Sequence, residues 1–501
     1  MPVVHMPPLA GRRQWAGLTV LITACLFVSM DISVLFYAAP SLSRDLAPSA
    51  GQLLWILDAY GFLLAGLLVT MGVLGDRYGR RRMLMAGAAV FGGASVVAAF
   101  APSAGTLIVC RAVMGIGAAM LAPSTLALIS TMFRDRAQRR TAIGLWSAAF
   151  AAGAALGPLV GGLLLGHFWW GSVLLVNIAV VALLLGAGPW LLPESEDPAP
   201  GTVDLFGAVL SVAAILLVIH GAKRAATEGP DAWALTWLVA GLAVGAVFVR
   251  HQLRRARPLI DLALFRRRTF STGILANGIT QFALMGMTLL AAQYLQSVLG
   301  LSALAAALWM LPSVAGVIAG LALAGKAAGR LDPAVTVALG LGLAALGCAV
   351  ISRTGDGPAL LVTGATVTAV GVGTVALLAT DIVLAAAPPE RAGAASALAE
   401  TSTELGAALG VAVLGTVSTA LYQAGLPGSL PDSGTLAGAL QEAHRQGPAV
   451  GAAVREAFTH GLRVTMVAMA ALLGAAALTA FRVLRGIRLD NPPDDAAGPP
   501  G

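Results

Sequence analysis

The stretch GVLGDRYGRRRML, residues 72–84, decides how the chain folds. It separates two apolar runs, at roughly 52–74 and 83–100, and crowds an aspartate and four arginines into the turn between them. Gly75 and Gly79 suit a tight turn, Asp76 can cap or pair with a helix end, and the arginines anchor the turn at the inner face of a bilayer. Two membrane-length runs joined by such a turn make the chain a polytopic membrane protein.

Composition agrees. Of 501 residues, 58% are hydrophobic and only 11% charged, against about 25% charged in a soluble domain. Further apolar runs fall at roughly 15–38, 106–132, 140–165, 171–192, 204–222, 234–249, 270–296, 303–325, 335–352, 359–386, 393–421 and 461–484, giving fourteen membrane-spanning helices. With the N-terminus inside, 23 of the 31 Lys and Arg fall in cytoplasmic pieces and 7 in outer ones, and Arg111 alone lies within a span. That bias predicts two cytoplasmic chain ends. The net charge of +7 is then a matter of topology, and no nucleic-acid partner is expected. Cys25, Cys110 and Cys348 sit in separate apolar runs without CxxC spacing, which gives neither a disulfide framework nor a metal site.

The expected organisation is a cytoplasmic N-terminus (1–14), a six-helix bundle (15–192), two linker helices with a basic cytoplasmic loop (193–269), a second six-helix bundle (270–484) and a cytoplasmic tail (485–501). The first run exceeds a signal-peptide core and lacks a cleavage site, so it is an uncleaved span. An outer loop, 422–460, carries ALQEAHRQG and AAVREAFTHG as short amphipathic helices, and the tail NPPDDAAGPPG is expected to be disordered. GKAAGRL (325–331) echoes the 72–84 turn without its acid, and that echo implies a repeat of six helices.

Charges inside spans are expensive, about 2.5–3.5 kcal/mol each at the bilayer centre, and mark function. Arg111 in the fourth span, Asp31 in SMDISVLFYAAP and Asp58 in WILDAY lie at one depth, roughly 8–10 Å below the outer helix ends at about 1.5 Å per residue. They are expected to share an aqueous cavity in which Arg111 keeps the aspartates ionised. SALAETSTELGAALG (396–410) places Glu400 and Glu404 on one helix face at mid-membrane depth. Two close carboxylates in a low dielectric do not both ionise, so they take up protons as a coupled unit. Such a pair carries protons, and its charge also attracts a cationic substrate that protonation expels.

Other positions are secondary. GAALGPLVGG (153–162) lines up Gly153, Gly157 and Gly161 on a flat face, with Pro158 bending the helix. Asp381, near the inner end of the twelfth span, is equally a gate or a structural helix-end partner; Asp204 is a cap, and His220 a surface residue. Trp55, Tyr60, Phe150, Phe282, Met30, Met285, Met287 and Met310 can line an apolar pocket for flat cations, although packing explains any one of them as well.

Several of these strings resemble known ones. Gly72, Asp76, Arg77, Gly79 and Arg80 match the G-x-x-x-D-R-x-G-R-R loop of the major facilitator superfamily, which in that family acts as a latch between the two halves. Arg111 and Gly115 resemble its R-x-x-x-G motif, and GxxxGPxxGG that of its proton-exchanging exporters. With MDISVLFYAAP, WILDAY, the ATDIVLAAAPPERAGAASALAETSTELGAALG block and fourteen spans, nearly the whole chain resembles the QacA-like drug/proton antiporters. The resemblance implies an all-α major facilitator fold of two six-helix halves plus two inserted helices. It implies a proton-driven efflux pump of the bacterial inner membrane, without cofactor, working as a monomer on lipophilic cations such as quaternary ammonium compounds and dyes. Asp31, Asp58, Glu400 and Glu404 would be its proton- and cation-responsive acids. The tenth span (307–325) lacks the further acid that such pumps can carry, which weighs against divalent cations, and VNIA stands in the sixth span where relatives often read N-x-P. A dedicated exporter of one antibiotic or endogenous metabolite on the same scaffold is the alternative. No HExxH, GxSxG or GxxxxGK[ST] string supports an enzyme or an ATP-driven pump, and no pore-loop motif supports a channel.

Overall fold

A hydrocarbon environment forces every backbone polar group to find its partner inside the chain, and helices do this segment by segment. In the computed structural model, which describes residues 10–195, 204–227, 231–255, 258, 262, 264–327, 330–386, 392–426 and 436–485, the described residues form helices and no strands. Fourteen of the helices are long and apolar enough to cross a membrane. The first six are α1 (Arg12–Leu46), α2 (Ala50–Tyr78), α3 (Arg80–Ala99), α4 (Ala104–Met132), α5 (Arg136–His167) and α6 (Ser172–Leu191). A hairpin follows, α7 (Leu205–Thr227) and α8 (Ala232–Arg254). The rest are α9 (Arg268–Gln293), α10 (Ala303–Ala327), α11 (Pro333–Ile351), α12 (Pro358–Ala386), α13 (Ala392–Ala424), the short α14 (Leu436–Gln446) and α15 (Pro448–Leu484). Several start on side-chain caps legible in the sequence. Ser49 and Gln52 form a capping box for α2, and Ser103, Asp135, Asp231 and Asp332 accept from the first free amides of α4, α5, α8 and α11.

The repeat is visible in the packing. In the first set α1 packs on α5, α2 on α4, and α3 on α4 and α6. In the second, α9 packs on α13, α10 on α12, and α11 on α12 and α15, which is the same order of partners. Between the sets α2 meets α13, α5 meets α10 and α1 meets α9, as a twofold relation requires. The hairpin helix α7 lies over the junction of α2 and α13, with Phe62, Ile219, Ala408 and Ala412 forming a small apolar cluster of their own.

Glycine permits the closest approaches. A Cβ on Gly153, Gly157 or Gly161 of α5 would run into Leu26, Met30, Ser33 or Val34 of α1, and one on Gly162 into Leu304 of α10. Pro158 lies inside α5 among them. Gly406 and Gly410 of α13 bear in the same way on the backbone of Gly278 and Phe282 in α9.

Some expectations change. α2 runs on through Gly75, so the turn to α3 rests on Gly79 alone, at φ +100°, where a Cβ would be strained. Asp76 and Arg80 pair with each other across one helical turn, and Gly72 faces Pro123 of α4. Arg80 also reaches the Pro123 carbonyl, Arg81 pairs with Glu194 after α6, and Arg77 stacks on Tyr78. These bonds all stay within the first six helices and the residues just after α6. ALQEAHRQG does form the short helix α14, but AAVREAFTHG is the first part of α15, continuous with the last span. The tail, the first nine residues, and parts of the basic loop and of the outer loop lie outside the described residues.

Candidate functional site: buried charges between the two halves

Two ion pairs and one pair of glutamates occupy the centre. The sequence groups Asp31, Asp58 and Arg111 in one cavity; in the structure Asp58 and Arg111 do line one cavity, but each aspartate has its own cation. Arg111 donates from Nη1 to Asp31 Oδ2 at 2.6 Å and from Nε to the Ile56 carbonyl at 3.3 Å, with its guanidinium 4.6 Å from the centre of the Tyr60 ring. The second Asp31 oxygen accepts from Asn177 Nδ2 at 2.8 Å; that amide also reaches Ser95 Oγ, which donates to Leu174 O. Asp31 and Arg111 are each 1% exposed. One network thus ties α1, α2, α3, α4 and α6 together. Asn177, the VNIA asparagine, was given no role by its sequence. An amide inside an apolar span is itself a signal, since it must find a partner.

Asp58 pairs elsewhere. Lys223 of α7 donates to Asp58 Oδ2 at 2.5 Å, and its Nζ lies 4.5 Å from the centre of the Trp55 ring. Both side chains are buried, and Asp58 Oδ1 has no hydrogen-bond partner. The sequence places Lys223 in an outer connection. The helix instead continues through it, and the aspartate one helix away draws it in. His220, one turn earlier, is no surface residue: it is half-buried, with its ring centre 6.1 Å from that of Trp55 and 5.2 Å from that of Trp237.

Glu400 and Glu404 lie about 12 and 18 Å along α13, at 1.5 Å per residue. Two of the polar residues between them, Ser402 and Thr403, turn to α9. Ser402 Oγ donates to Ile274 O at 2.8 Å, and Thr403 Oγ1 accepts from Asn277 at 2.7 Å. The glutamates take the opposite face, toward the first six helices. Glu404 lines a cavity of about 80 Å³ with Asp58, Tyr60, Arg111, Phe150 and Met285. Both glutamates line a second cavity beside Cys25, Trp146 and Phe150. Among the described residues neither makes an ion pair. Met30, Met287 and Met310 are buried, while Phe282 gives its backbone to Gly410. Asp381 is exposed near the end of α12 and makes no ion pair among the described residues.

The hairpin is fastened at its other end by Asp204. It caps α7 through the Gly207 amide at 2.9 Å and accepts from His251 and Gln252 of α8, with Arg255 at 3.3 Å. Burial pushes this carboxyl up, but the hydrogen bonds from His251, Gly207 and Gln252 outweigh it and hold it below its ordinary value. No group of His, Cys, Asp and Glu among the described residues could hold a metal.

Comparison with known proteins gives a consistent family. Residues 21–411 match the family model described as Major Facilitator Superfamily. The multidrug efflux pump LfrA of Mycolicibacterium smegmatis is 43% identical over 482 residues, 93% of this chain and 95% of its own. The methyl viologen resistance protein SmvA of Salmonella typhimurium is 37% identical over 460 residues, 89% and 93% of the two chains. A bacterial homologue of the human lysosomal transporter Spinster, solved inward-facing and unoccupied, superposes with a TM-score of 0.67 at 19% identity, covering 95% of this chain and 98% of its own. That last likeness concerns the fold.

Proposed function

The chain belongs to the Major Facilitator Superfamily, and on that premise we propose that it exports lipophilic drug cations in exchange for protons, by alternating access of the central cavity. Membership makes it a membrane transporter and not an enzyme. Quaternary ammonium compounds, dyes and antiseptics are the expected cargo, and the proton gradient is the only energy source. A relative named as a multidrug pump and one named for resistance to methyl viologen, a flat organic dication, support cationic cargo, and the second argues against excluding divalent cations. The site of action is the bacterial inner membrane, with both chain ends cytoplasmic and each chain working alone.

One observation carries this reading: among the described residues Glu400 and Glu404 are the central acids left without a cationic partner, and they face the seam between the halves. Asp31 and Asp58 each have a buried cation beside them. An unpaired carboxylate in a low dielectric recruits either a proton or a cation. The two compete for the same oxygens, which is the elementary requirement of an exchanger. Substrate from the cytoplasm or inner leaflet would reach the glutamates first, and protonation from the other side would release it. Tyr60, Phe150 and Met285 offer the flat, polarisable surface that a conjugated cation needs. The cavity must widen to take such cargo, because drug-sized sites measure about 300–1,000 Å³.

The test is ethidium efflux from proteoliposomes under an imposed pH gradient, comparing the unaltered chain with Glu400→Gln and Glu404→Gln. Efflux that follows the gradient and is abolished by either change is expected. Efflux indifferent to the gradient rejects proton exchange, and two fully active variants reject the glutamates as the coupling site.

A further inference from the structure

We infer that Lys223 is a tethered competitor of the cargo: its ammonium occupies a cation site formed by Asp58 and Trp55, and a cationic substrate must displace it. The inference rests on the proposed export of cations and assigns the inserted hairpin a part in it.

The site has what an ammonium ligand needs. Asp58 supplies a carboxylate that is 1% exposed, and Trp55, one helical turn before it, supplies a ring face. Only one carboxylate oxygen is engaged. Oδ1 of Asp58 has no hydrogen-bond partner, and its residue lines the same cavity as Glu404. A buried half-used carboxylate facing a cavity is an open position for a second cation.

Lys223 is built to leave. It lies four residues before the end of α7, so its long side chain can exchange the Asp58 position for water at that membrane face. Its helix does not belong to either six-helix set and rests on α2 and α13, one from each. Withdrawal of Lys223 therefore needs no rearrangement of the Arg111–Asp31 network, which lies wholly within the first set. Cargo passing from the glutamates would take Asp58 while Lys223 is out. Return of Lys223 would then expel the cargo and block re-entry, since a tethered group competes at about millimolar effective concentration whatever the external concentration.

The chain makes this measurable. It contains two lysines, Lys223 and Lys326, and the latter is exposed at the opposite end of a different helix, α10. The full chain in lipid nanodiscs is treated at pH 8 with a charged amine-reactive ester, with and without saturating tetraphenylphosphonium, and each lysine is read by peptide mass spectrometry. Ethidium fluorescence reports cation binding in parallel. We expect the cation to raise Lys223 labelling about tenfold and leave Lys326 unchanged. Lys223→Met should bind either cation about tenfold more tightly, Lys223→Arg should behave as the parent, and Asp58→Asn should label at Lys223 without added cation. Bound cation with unchanged Lys223 labelling overturns the inference and leaves the export proposal standing. Lower stability of Lys223→Met with unaltered affinity also overturns it, since Lys223 would then only dock α7. Should Lys223→Met fail to fold, the labelling of the unaltered chain still decides. Failure of the parent and of Lys223→Met to bind either cation rejects the export proposal and this inference with it.

Discussion

Replacing Arg111 by Met should expose the cost of leaving Asp31 alone in the bundle. The two side chains are 1% and 0% exposed, so neither charge has water to fall back on. The substitution removes the 2.6 Å bond to Asp31, the 3.3 Å bond to Ile56 O and the stack on Tyr60, and leaves Asp31 with Asn177 as its described donor. Breaking a buried pair from one side costs about 3–5 kcal/mol, roughly a thousandfold in the folding equilibrium. Removing both charges, as in Asp31→Asn with Arg111→Met, should cost far less, because no buried charge is then uncompensated. The assay is a double-mutant cycle on reversible unfolding in mixed detergent–SDS micelles. A coupling energy of about 3 kcal/mol is expected. Arg111→Lys should fall between, keeping the charge while losing the Ile56 bond and the planar stack. A coupling below about 0.5 kcal/mol would refute the pairing as a stabilising element.

Three further outcomes are expected. Asn177→Leu deprives the second Asp31 oxygen of its donor and should destabilise by about 1–3 kcal/mol in the same assay; parent-like stability would refute the role given to that amide. Gly410→Val drives a branched side chain into the Phe282 backbone, whereas Gly342→Val meets nothing within 4 Å. Folded yield by size-exclusion chromatography should collapse for the first and survive for the second, and equal yields would refute the close α9–α13 contact. Asp204→Asn tests the fastening of the hairpin. Because the folded carboxyl is held below its ordinary value of about 3.9, its contribution is full above that pH and is lost as pH falls through the lower folded value. The stability gap between parent and variant should therefore be present at pH 5 and close as pH falls below about 4; a gap that instead widens below that pH would reverse the sign of the argument.

The sequence made the helices legible because a bilayer leaves the backbone few options, and a run such as 106–132 needs no tertiary information to be read as a span. Glu400 and Glu404 were legible for a related reason, since their four-residue spacing fixes a shared face whatever the neighbours are. The partners of the other charges were not. Depth alone put Asp58 with Arg111, but depth says nothing about azimuth. The azimuth of Asp58 is answered by α7, whose docking over α2 and α13 depends on small contacts such as Val212 at Gly66. An error of one helical turn at the end of α7 was enough to assign Lys223 to water. α15 failed in the same way: Arg455, Glu456 and His460 looked like a boundary, yet Arg463 binds the Thr354 carbonyl and Glu456, and the helix passes through.

On the proposed proton exchange, the charges also limit how many protons one cycle can move. Arg111 balances Asp31, and Lys223 balances Asp58, so in the described state both aspartates sum to zero with their partners. Among the acids at the seam in the described residues, Glu400 and Glu404 remain as the ones whose charge can change without opening an ion pair, and together they hold at most two protons. A cycle confined to them therefore returns no more than two protons per cation exported, and with a monovalent cargo it moves at most one net positive charge inward. Reversal-potential measurements of ethidium transport in proteoliposomes should accordingly give a proton count of two or fewer. A count of three would require Asp31 or Asp58 to release its cation and take up a proton in its place during the cycle. Of the two, the physical argument selects Asp58, because its partner lies near the end of a helix outside both halves, while Arg111 is also held by the Ile56 carbonyl and the Tyr60 ring within one half.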